Sequence, residues 1–313
     1  MSQPFDTPIE TVDGALAGPW RGPRQMLEDQ SYDGHTSIHD DKMAEKLGFR
    51  AGPIEGPTHF SQFGPLGVAL WGERFLSEGK LSAHFRNMVV EGEEVRAFMQ
   101  KTGDNDARIW ATKRDGTEVL KGTASVGANA APSALDVRLK ELAPLDQPVI
   151  LRDLKVGMRT PRVKVRMDAA QHMGDLYPFS LNEKLGRITE SSDWYSDGAA
   201  TPWKKAVIPF EMISVLVEYR AREDRLPIKG PAVGLFADQE ISLIKGPLFV
   251  GEDYEIEREI VMLSGSKRTE SYWTKSFVYK PGSSEVIAAM LLNHAVLRDS
   301  YAPYAKEKAE LHG

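Results

Sequence analysis

Apolar positions recur at helical spacing in two stretches of the chain, and each stretch opens with a proline. The second stretch begins at Pro209 and carries one apolar stripe, at Met212, Val215, Leu216 and Tyr219. The first begins at Pro57, where Gly64-Pro65 and Gly67 interrupt the pattern, so we expect a kinked or two-piece helix there. Proline suits a first helical turn because the N–H that it lacks would have no partner at that position.

A strand-like region of the same design follows each predicted helix. Residues 88–100 and 247–261 both place a Gly-Glu pair ahead of alternating apolar and polar positions. Each copy then continues with two strand-like runs around a glycine-containing turn, in residues 107–127 and 271–296. A helix followed by antiparallel strands, repeated twice, predicts an α+β fold in which each helix packs on one face of a sheet.

The repeat also predicts the domain organisation. An Ala- and Pro-rich connector separates the two copies and has room for one short helix. We therefore predict an N-terminal domain over residues 1–130, a linker over 131–150 and a C-terminal domain over 151–313.

Composition narrows the possible functions. The 39 basic and 45 acidic residues give a net charge of −6, all of it carried by the first half, which speaks against nucleic-acid binding. The chain has no cysteine, which excludes disulfides, thiolate nucleophiles and Cys-ligated metals. No apolar run approaches the ~18–20 residues of a membrane span, and the first residues are acidic and proline-containing, unlike a signal peptide. We expect a cytoplasmic protein that binds neither membranes nor nucleic acid.

Histidines concentrate where the chemistry is predicted. Three of the seven fall within residues 31–60: His35, His39 and His59. Ser37 as N-cap and Gly48 as the stop predict a short helix over 38–47, so Asp33 and His35 would lie in the loop before it. The proline-opened helix starts close behind, with His59 in its first turn. Carboxylates and imidazoles at two helix starts form a candidate site.

Residues 33–60 resemble the hydratase motif of the MaoC-like, (R)-specific enoyl-CoA hydratase family. The family pattern is Asp-x-Asn-Pro-x-His-x-Asp-x-x-x-Ala, followed by Gly-Phe and Ile, and it is matched at Asp33, Asp40, Ala44, Gly48, Phe49 and Ile54. The segment IEGPTH at 54–59 is similar to the Ile-Ala-Ser-Gly-Trp-His turn of double hot-dog members. The resemblance implies a double hot-dog fold, two tandem copies of a central helix wrapped by a curved antiparallel sheet, and a homodimer.

In that family an Asp and a His five residues later activate water for addition to an enoyl thioester. Here Ile38 occupies the histidine position, and His39 comes one residue late. On a helix this one-residue shift turns the side chain by about 100°, so His39 reaches the site only if the conformation of the loop compensates for the shift. The resemblance assigns catalysis to Asp33 and His39, with His35 and His59 as substitutes.

The same resemblance predicts how the substrate is held. Backbone N–H groups at Gly56, Thr58 or His59 would stabilise negative charge on the thioester oxygen, and Glu55 and Tyr195 complete the predicted substrate site. The predicted enzyme is a hydro-lyase acting on an acyl thioester such as an acyl-CoA, or on a related small carboxylate or aromatic compound. Coenzyme A would enter only as part of the substrate, and no other cofactor is expected.

Three alternatives stay open, because one fold can host many reactions. The shifted register favours a catalytically silent hot-dog protein that binds a ligand. Thioester hydrolysis would use Glu55 as its acid. A metal held by His35 and His39 would need both on one helix, which the Ser37 cap argues against, so we predict no metal. The acidic first half also lacks a basic cluster for the phosphates of coenzyme A.

Overall fold

Antiparallel strands dominate the computed structural model, which describes residues 4–32 and 35–313. In chain order the described strands are β1 (Glu10–Val12), β2 (Ala15–Ala17), β3 (Ser31–Tyr32), β4 (His35–Thr36), β5 (Gly79–Phe85), β6 (Val95–Lys101), β7 (Asp106–Lys113), β8 (Glu118–Val126), β9 (Val163–Arg166), β10 (Gly234–Leu243), β11 (Asp253–Gly265), β12 (Thr269–Tyr279) and β13 (Val286–Leu297). Strands β3 and β4 pair with each other. The other eleven form one sheet in the order β1-β2-β6-β7-β8-β5-β10-β13-β12-β11-β9.

Short helices lie between these strands. The described α-helices are α1 (Asp41–Lys46), α2 (Phe63–Trp71), α3 (Arg74–Glu78), α4 (Ala134–Glu141), α5 (Leu181–Leu185), α6 (Phe210–Glu218) and α7 (Tyr304–His312). 3₁₀ helices occur at Gly56–Gln62, Asp193–Tyr195, Gly198–Ala200, Ala221–Asp224 and Arg298–Ser300. Among the described residues, no helix has the length and apolarity needed to cross a bilayer.

The two proline-opened helices form the centre of the fold. The first is in two pieces, as predicted: the 3₁₀ helix Gly56–Gln62 runs directly into α2. The second, α6, begins after Pro209, and all nine of its residues are buried. A helix that is buried on every side needs partners all round. Here α6 packs against both the 3₁₀ helix Gly56–Gln62 and the inner face of the sheet.

The sheet shows the same order of strands twice. The first copy runs from the Gly56–Gln62 helix through β5, β6, β7 and β8, and the second runs from α6 through β10, β11, β12 and β13. In each copy the first strand pairs with the last, so the order in the sheet is mirrored about its centre. This confirms the tandem α+β repeat expected from the sequence, and α4 lies within the predicted linker. The domain boundaries at 130 and 151 stay a prediction.

Strands β5 and β10 join the two copies, and the sequence pattern predicted neither. They pair antiparallel, with Leu81 opposite Ile241. Six consecutive residues of β10, from Asp238 to Leu243, are buried, so this strand lacks the polar–apolar alternation of a half-exposed strand. On the other side of β5, a Cβ at Gly122 would lie 1.8 Å from the carbonyl oxygen of Ser82. Glycine is therefore required where β8 approaches β5.

Candidate active site

A cavity of about 420 Å³ lies between the two copies. The first copy contributes the residues that enter the Gly56–Gln62 helix and those that follow β5. The second contributes the end of α6 together with parts of β10, β12 and β13. Small-molecule sites usually have volumes of about 300–1,000 Å³, so this cavity is large enough for a small organic ligand.

The loop before α1 brings His39 to this cavity. The predicted helix start at residue 38 is wrong: the N-cap is Asp40, whose carboxylate accepts a 2.8 Å hydrogen bond from the N–H of Met43, and the helix begins at Asp41. The hydroxyl of Ser37 instead donates to Gln30 Oε1 and accepts from the N–H of His39. His39 therefore precedes the helix, so the 100° rotation expected for a shifted helical residue does not apply. Both Ile38 and His39 line the cavity.

The ring of His39 is held in one tautomer. Its Nδ1 lies 2.6 Å from the carbonyl oxygen of Pro53. Since a carbonyl can only accept, Nδ1 carries the proton and Nε2 keeps a free lone pair. Burial lowers the pKa of His39 to about 4, although the bond to Pro53 opposes the shift. Gly52 permits the arrangement, because a Cβ there would lie 2.2 Å from the carbonyl oxygen of His39.

Glu55 is the last residue before the 3₁₀ helix, and it also lines the cavity. Its side chain is buried, and its Oε1 finds no hydrogen-bond partner among the described residues. Burial raises the pKa of Glu55 to about 7, helped by the nearby carboxylate of Glu211 and opposed by the cation of Lys184. Near neutral pH this carboxyl can therefore either hold or accept a proton.

The 3₁₀ helix itself places Gly56 and His59 at the cavity wall. A Cβ at Gly56 would lie 2.7 Å from the Phe85 ring, so this ring packs directly against the backbone of Gly56. Burial lowers the pKa of His59 to about 4, reinforced by the cations of Lys184 and Lys113. The imidazole is thus neutral near pH 7, with its buried Nδ1 unpartnered among the described residues.

A buried lysine, which the sequence pattern did not indicate, contacts the Gly56–Gln62 helix. Lys184 of α5 donates from Nζ to Thr58 Oγ1 at 3.1 Å and lies 3.9 Å from Glu211 Oε1. Thr58, predicted to bind substrate, is thus a partner of this lysine. Glu211 is buried, and neither carboxylate oxygen has a hydrogen-bond partner among the described residues. Burial raises the pKa of Glu211 to about 7 as well, opposed by the cation of Lys184 and by the nearby hydroxyl of Ser61.

The other predicted site residues lie apart from this group or beyond what can be described. Asp33 falls outside the described residues. His35 belongs to β4, and its side chain is likewise outside the description. Tyr195 is buried with its ring edge-on to Phe5 at 5.9 Å, and it is not among the described residues that line the cavity. Within residues 4–32 and 35–313, no cluster of three His, Asp or Glu side chains could hold a metal.

Sequence reasoning missed the second-copy end of the cavity. Glu218, Tyr177, Tyr272 and His294 all line it. The one available signal is Glu218 itself, an acid at the end of a largely apolar helix. The other three lie in separate elements, and only the folded sheet brings them together.

Comparisons with known proteins agree on the fold. No family model matches the sequence, and neither does any curated protein. A structure from Chloroflexus aurantiacus J-10-fl, described as a MaoC domain protein dehydratase, is 12% identical and superposes with a TM-score of 0.59 over 95% of this chain and 96% of its own. A Mycobacterium tuberculosis protein described as having a double hotdog fold is 12% identical, with a TM-score of 0.51 over 87% of this chain and 90% of its own. The chain therefore has the double hot-dog fold, which the MaoC-like dehydratase structure shares.

Proposed function

We propose that this protein is a hydro-lyase that adds water to, or removes it from, an acyl thioester. One observation carries the proposal: a single cavity is lined both by a neutral imidazole with a free lone pair, His39, and by a carboxyl with a pKa of about 7, Glu55. Hydration needs one group that takes a proton from water and one that returns a proton to carbon. A carboxyl that titrates near neutral pH can do both in turn.

The reaction would run as follows. Ionised Glu55 takes a proton from a water molecule that His39 Nε2 also holds, and the water oxygen forms a bond to the β-carbon. The electrons of the double bond move toward the thioester, whose oxygen becomes negative and accepts hydrogen bonds from N–H groups at the start of the Gly56–Gln62 helix. The α-carbon then takes the proton from Glu55. Asp33, the family's expected partner of the histidine, stays a prediction.

The charge around the cavity supports a phosphate-bearing carrier such as coenzyme A. Arg86 lines both the cavity and an outer groove of about 750 Å³. Four basic and two acidic side chains line this groove: Arg86, Arg108, Lys121, Arg138, Glu118 and Glu141. A second groove beside His39 has two arginines and four acids, which disfavours phosphates. The folded sheet thus assembles a basic surface that the acidic first half did not indicate.

Turnover tests the proposal against its alternatives. Wild-type protein is mixed with 2-enoyl-CoA esters of increasing chain length, and two signals are followed: loss of the conjugated double bond and release of free CoA thiol. Loss of the double bond with the thioester intact is the expected result. Thiol release from both saturated and unsaturated esters would instead indicate a thioesterase that uses Glu55 to activate water for attack on the carbonyl. Folded protein that binds the esters without either reaction would be a ligand-binding protein.

Neutralising the basic groove should weaken substrate binding without changing the chemistry. Arg108→Gln combined with Lys121→Gln is expected to raise KM for a CoA ester about fivefold, roughly 1 kcal/mol for exposed charge pairs, with kcat unchanged. The difference from wild type should shrink as salt rises, because salt screens exposed charges. Lys101→Gln, an exposed lysine that does not line the described groove, is the matched control. An unchanged KM at low salt would contradict this placement of the carrier.

A further inference from the structure

A carboxylate faces the second-copy end of the cavity. Glu218 is the last residue of α6, its side chain is 5% exposed, and it lines the cavity. Its Oε1 lies 3.3 Å from Nε of Arg258. Carbonyl groups at the C-terminal end of a helix carry partial negative charge. A carboxylate at this position is therefore stabilised by a partner that is positively charged or donates a hydrogen bond.

Arg258 does not neutralise this end of the cavity. Its guanidinium also makes two hydrogen bonds to Asp224, at 2.8 and 3.0 Å, and donates to the carbonyl oxygen of Val217. Two carboxylates therefore share one guanidinium, and the network keeps one uncompensated negative charge. Arg222, the other cation of this wall, lies over the Tyr32 ring and pairs with the Ser31 carbonyl and with Asp175.

Aromatic rings line the same cavity as Glu218. Tyr272 and His294 stack face to face with centroids 4.4 Å apart, and Phe236 meets His294 edge-on at 5.4 Å. Tyr177 also lines the cavity, and the carboxylates of Glu55 and Glu218 both raise its pKa after the larger effect of burial. His294 Nε2 is hydrogen-bonded to Thr274 Oγ1 at 3.1 Å. Flat walls made of packed rings suit a planar ring better than a flexible chain.

We propose that this end of the cavity is a subsite for an aromatic ring that carries a hydrogen-bond donor, which Glu218 accepts. The inference rests on the proposed function, because that function places the thioester at Glu55 and sends the acyl group toward α6. An alkyl chain would cover the carboxylate with methylene groups and offer it no donor besides Arg258, which Glu218 shares with Asp224, and that is costly in a buried site. The protein would therefore select hydroxyaryl over alkyl acyl groups.

Binding of saturated esters tests the subsite without any need for turnover. The probes are the CoA esters of 3-phenylpropanoate and of its 4-hydroxy and 4-methoxy derivatives, with octanoyl-CoA as the alkyl reference, and calorimetry measures each Kd. Wild type should bind the 4-hydroxy ester about 10-fold more tightly than the other three, because only the 4-hydroxy group offers the buried carboxylate a further donor. Equal affinities, or a preference for octanoyl-CoA, would overturn the proposal.

Two variants show whether Glu218 carries the preference. Glu218→Gln keeps an acceptor for Arg258 but offers an NH₂ group to the cavity, so the ratio of methoxy to hydroxy Kd should fall to about one or reverse. Asp224→Asn removes the same charge from the same guanidinium at a residue that is not among those lining the cavity. It should keep the wild-type ratio. A ratio that Glu218→Gln leaves unchanged, or that both variants change alike, would contradict the role of Glu218.

Failure of the subsite can be told from failure of the proposed reaction. Hydroxyaryl preference in binding, without hydration of the matching unsaturated ester, would retain the subsite and overturn the hydro-lyase. Hydration of enoyl esters without any ring preference would retain the hydro-lyase and overturn the subsite. If none of the esters binds to folded protein, both proposals fail.

Discussion

Replacing Glu55 by glutamine is expected to lower kcat for hydration of a 2-enoyl-CoA by about 10²–10⁴, the usual contribution of a general acid–base group. Glutamine has nearly the same shape, so it should leave the fold intact, but it can neither take the proton of water nor return one to the α-carbon. Steady-state kinetics on a folded variant measure the effect. The matched control is Glu240→Gln, another buried carboxyl that is not among the described residues lining the cavity.

Wild type and Glu55→Gln should also differ in how kcat/KM depends on pH. The active form is the carboxylate, and burial raises the pKa of Glu55 to about 7, so wild-type kcat/KM should rise with pH and level off above about 7. The residual activity of Glu55→Gln should lack this rise. Retention of most of the activity, or an unchanged pH profile in the variant, would show that another group moves the proton, and Asp33 would be the next residue to replace.

Glu211→Gln should make the protein more stable than wild type, and increasingly so as pH rises. Glu211 is buried without a hydrogen-bond partner among the described residues, and its pKa is raised to about 7 from an ordinary value of 4.5. Between those values the folded state holds a proton that the unfolded chain releases, so rising pH costs the wild type stability. Glutamine does not ionise and escapes this loss. The gain in free energy of unfolding should approach about 3 kcal/mol above pH 8.

Denaturant unfolding at several pH values between about 5 and 8 measures this gain. The difference between variant and wild type is the informative quantity, because His39 and His59 contribute a pH dependence of the opposite sign. Burial lowers the pKa of both to about 4, so their contribution to stability is lost as pH falls below about 6.5. Glu91→Gln, an exposed carboxylate, serves as control. A stability difference that stays constant with pH would mean that Glu211 ionises as easily in the folded protein as in the unfolded chain.

Short-range patterns in the sequence were enough to place half of the candidate site. The interrupted apolar stripe after Pro57 predicted a two-piece helix, and the residues at its start, Glu55, Gly56 and His59, do line the cavity. The two-piece helix was predictable because helix starts, caps and apolar periodicity depend on neighbours within a few residues. The limit of short-range patterns appears at the first helix. Ser37 and Asp40 are both good caps by type, and only the contact of Ser37 with Gln30 leaves the capping role to Asp40.

The opposite end of the cavity depended on the tertiary structure. Glu218, Tyr272 and His294 become neighbours of Glu55 only because β5 pairs with β10 and thereby closes the two copies around one space. Lys184 likewise reaches Thr58 across 126 residues of chain. The sequence alone determined that there are two copies, where their helices begin and which histidines stand near a helix start. Strand pairing between the copies decided which residues share the cavity. Long-range packing sets both the shape of the cavity and the pKa values within it, and such packing leaves no local periodicity in the sequence.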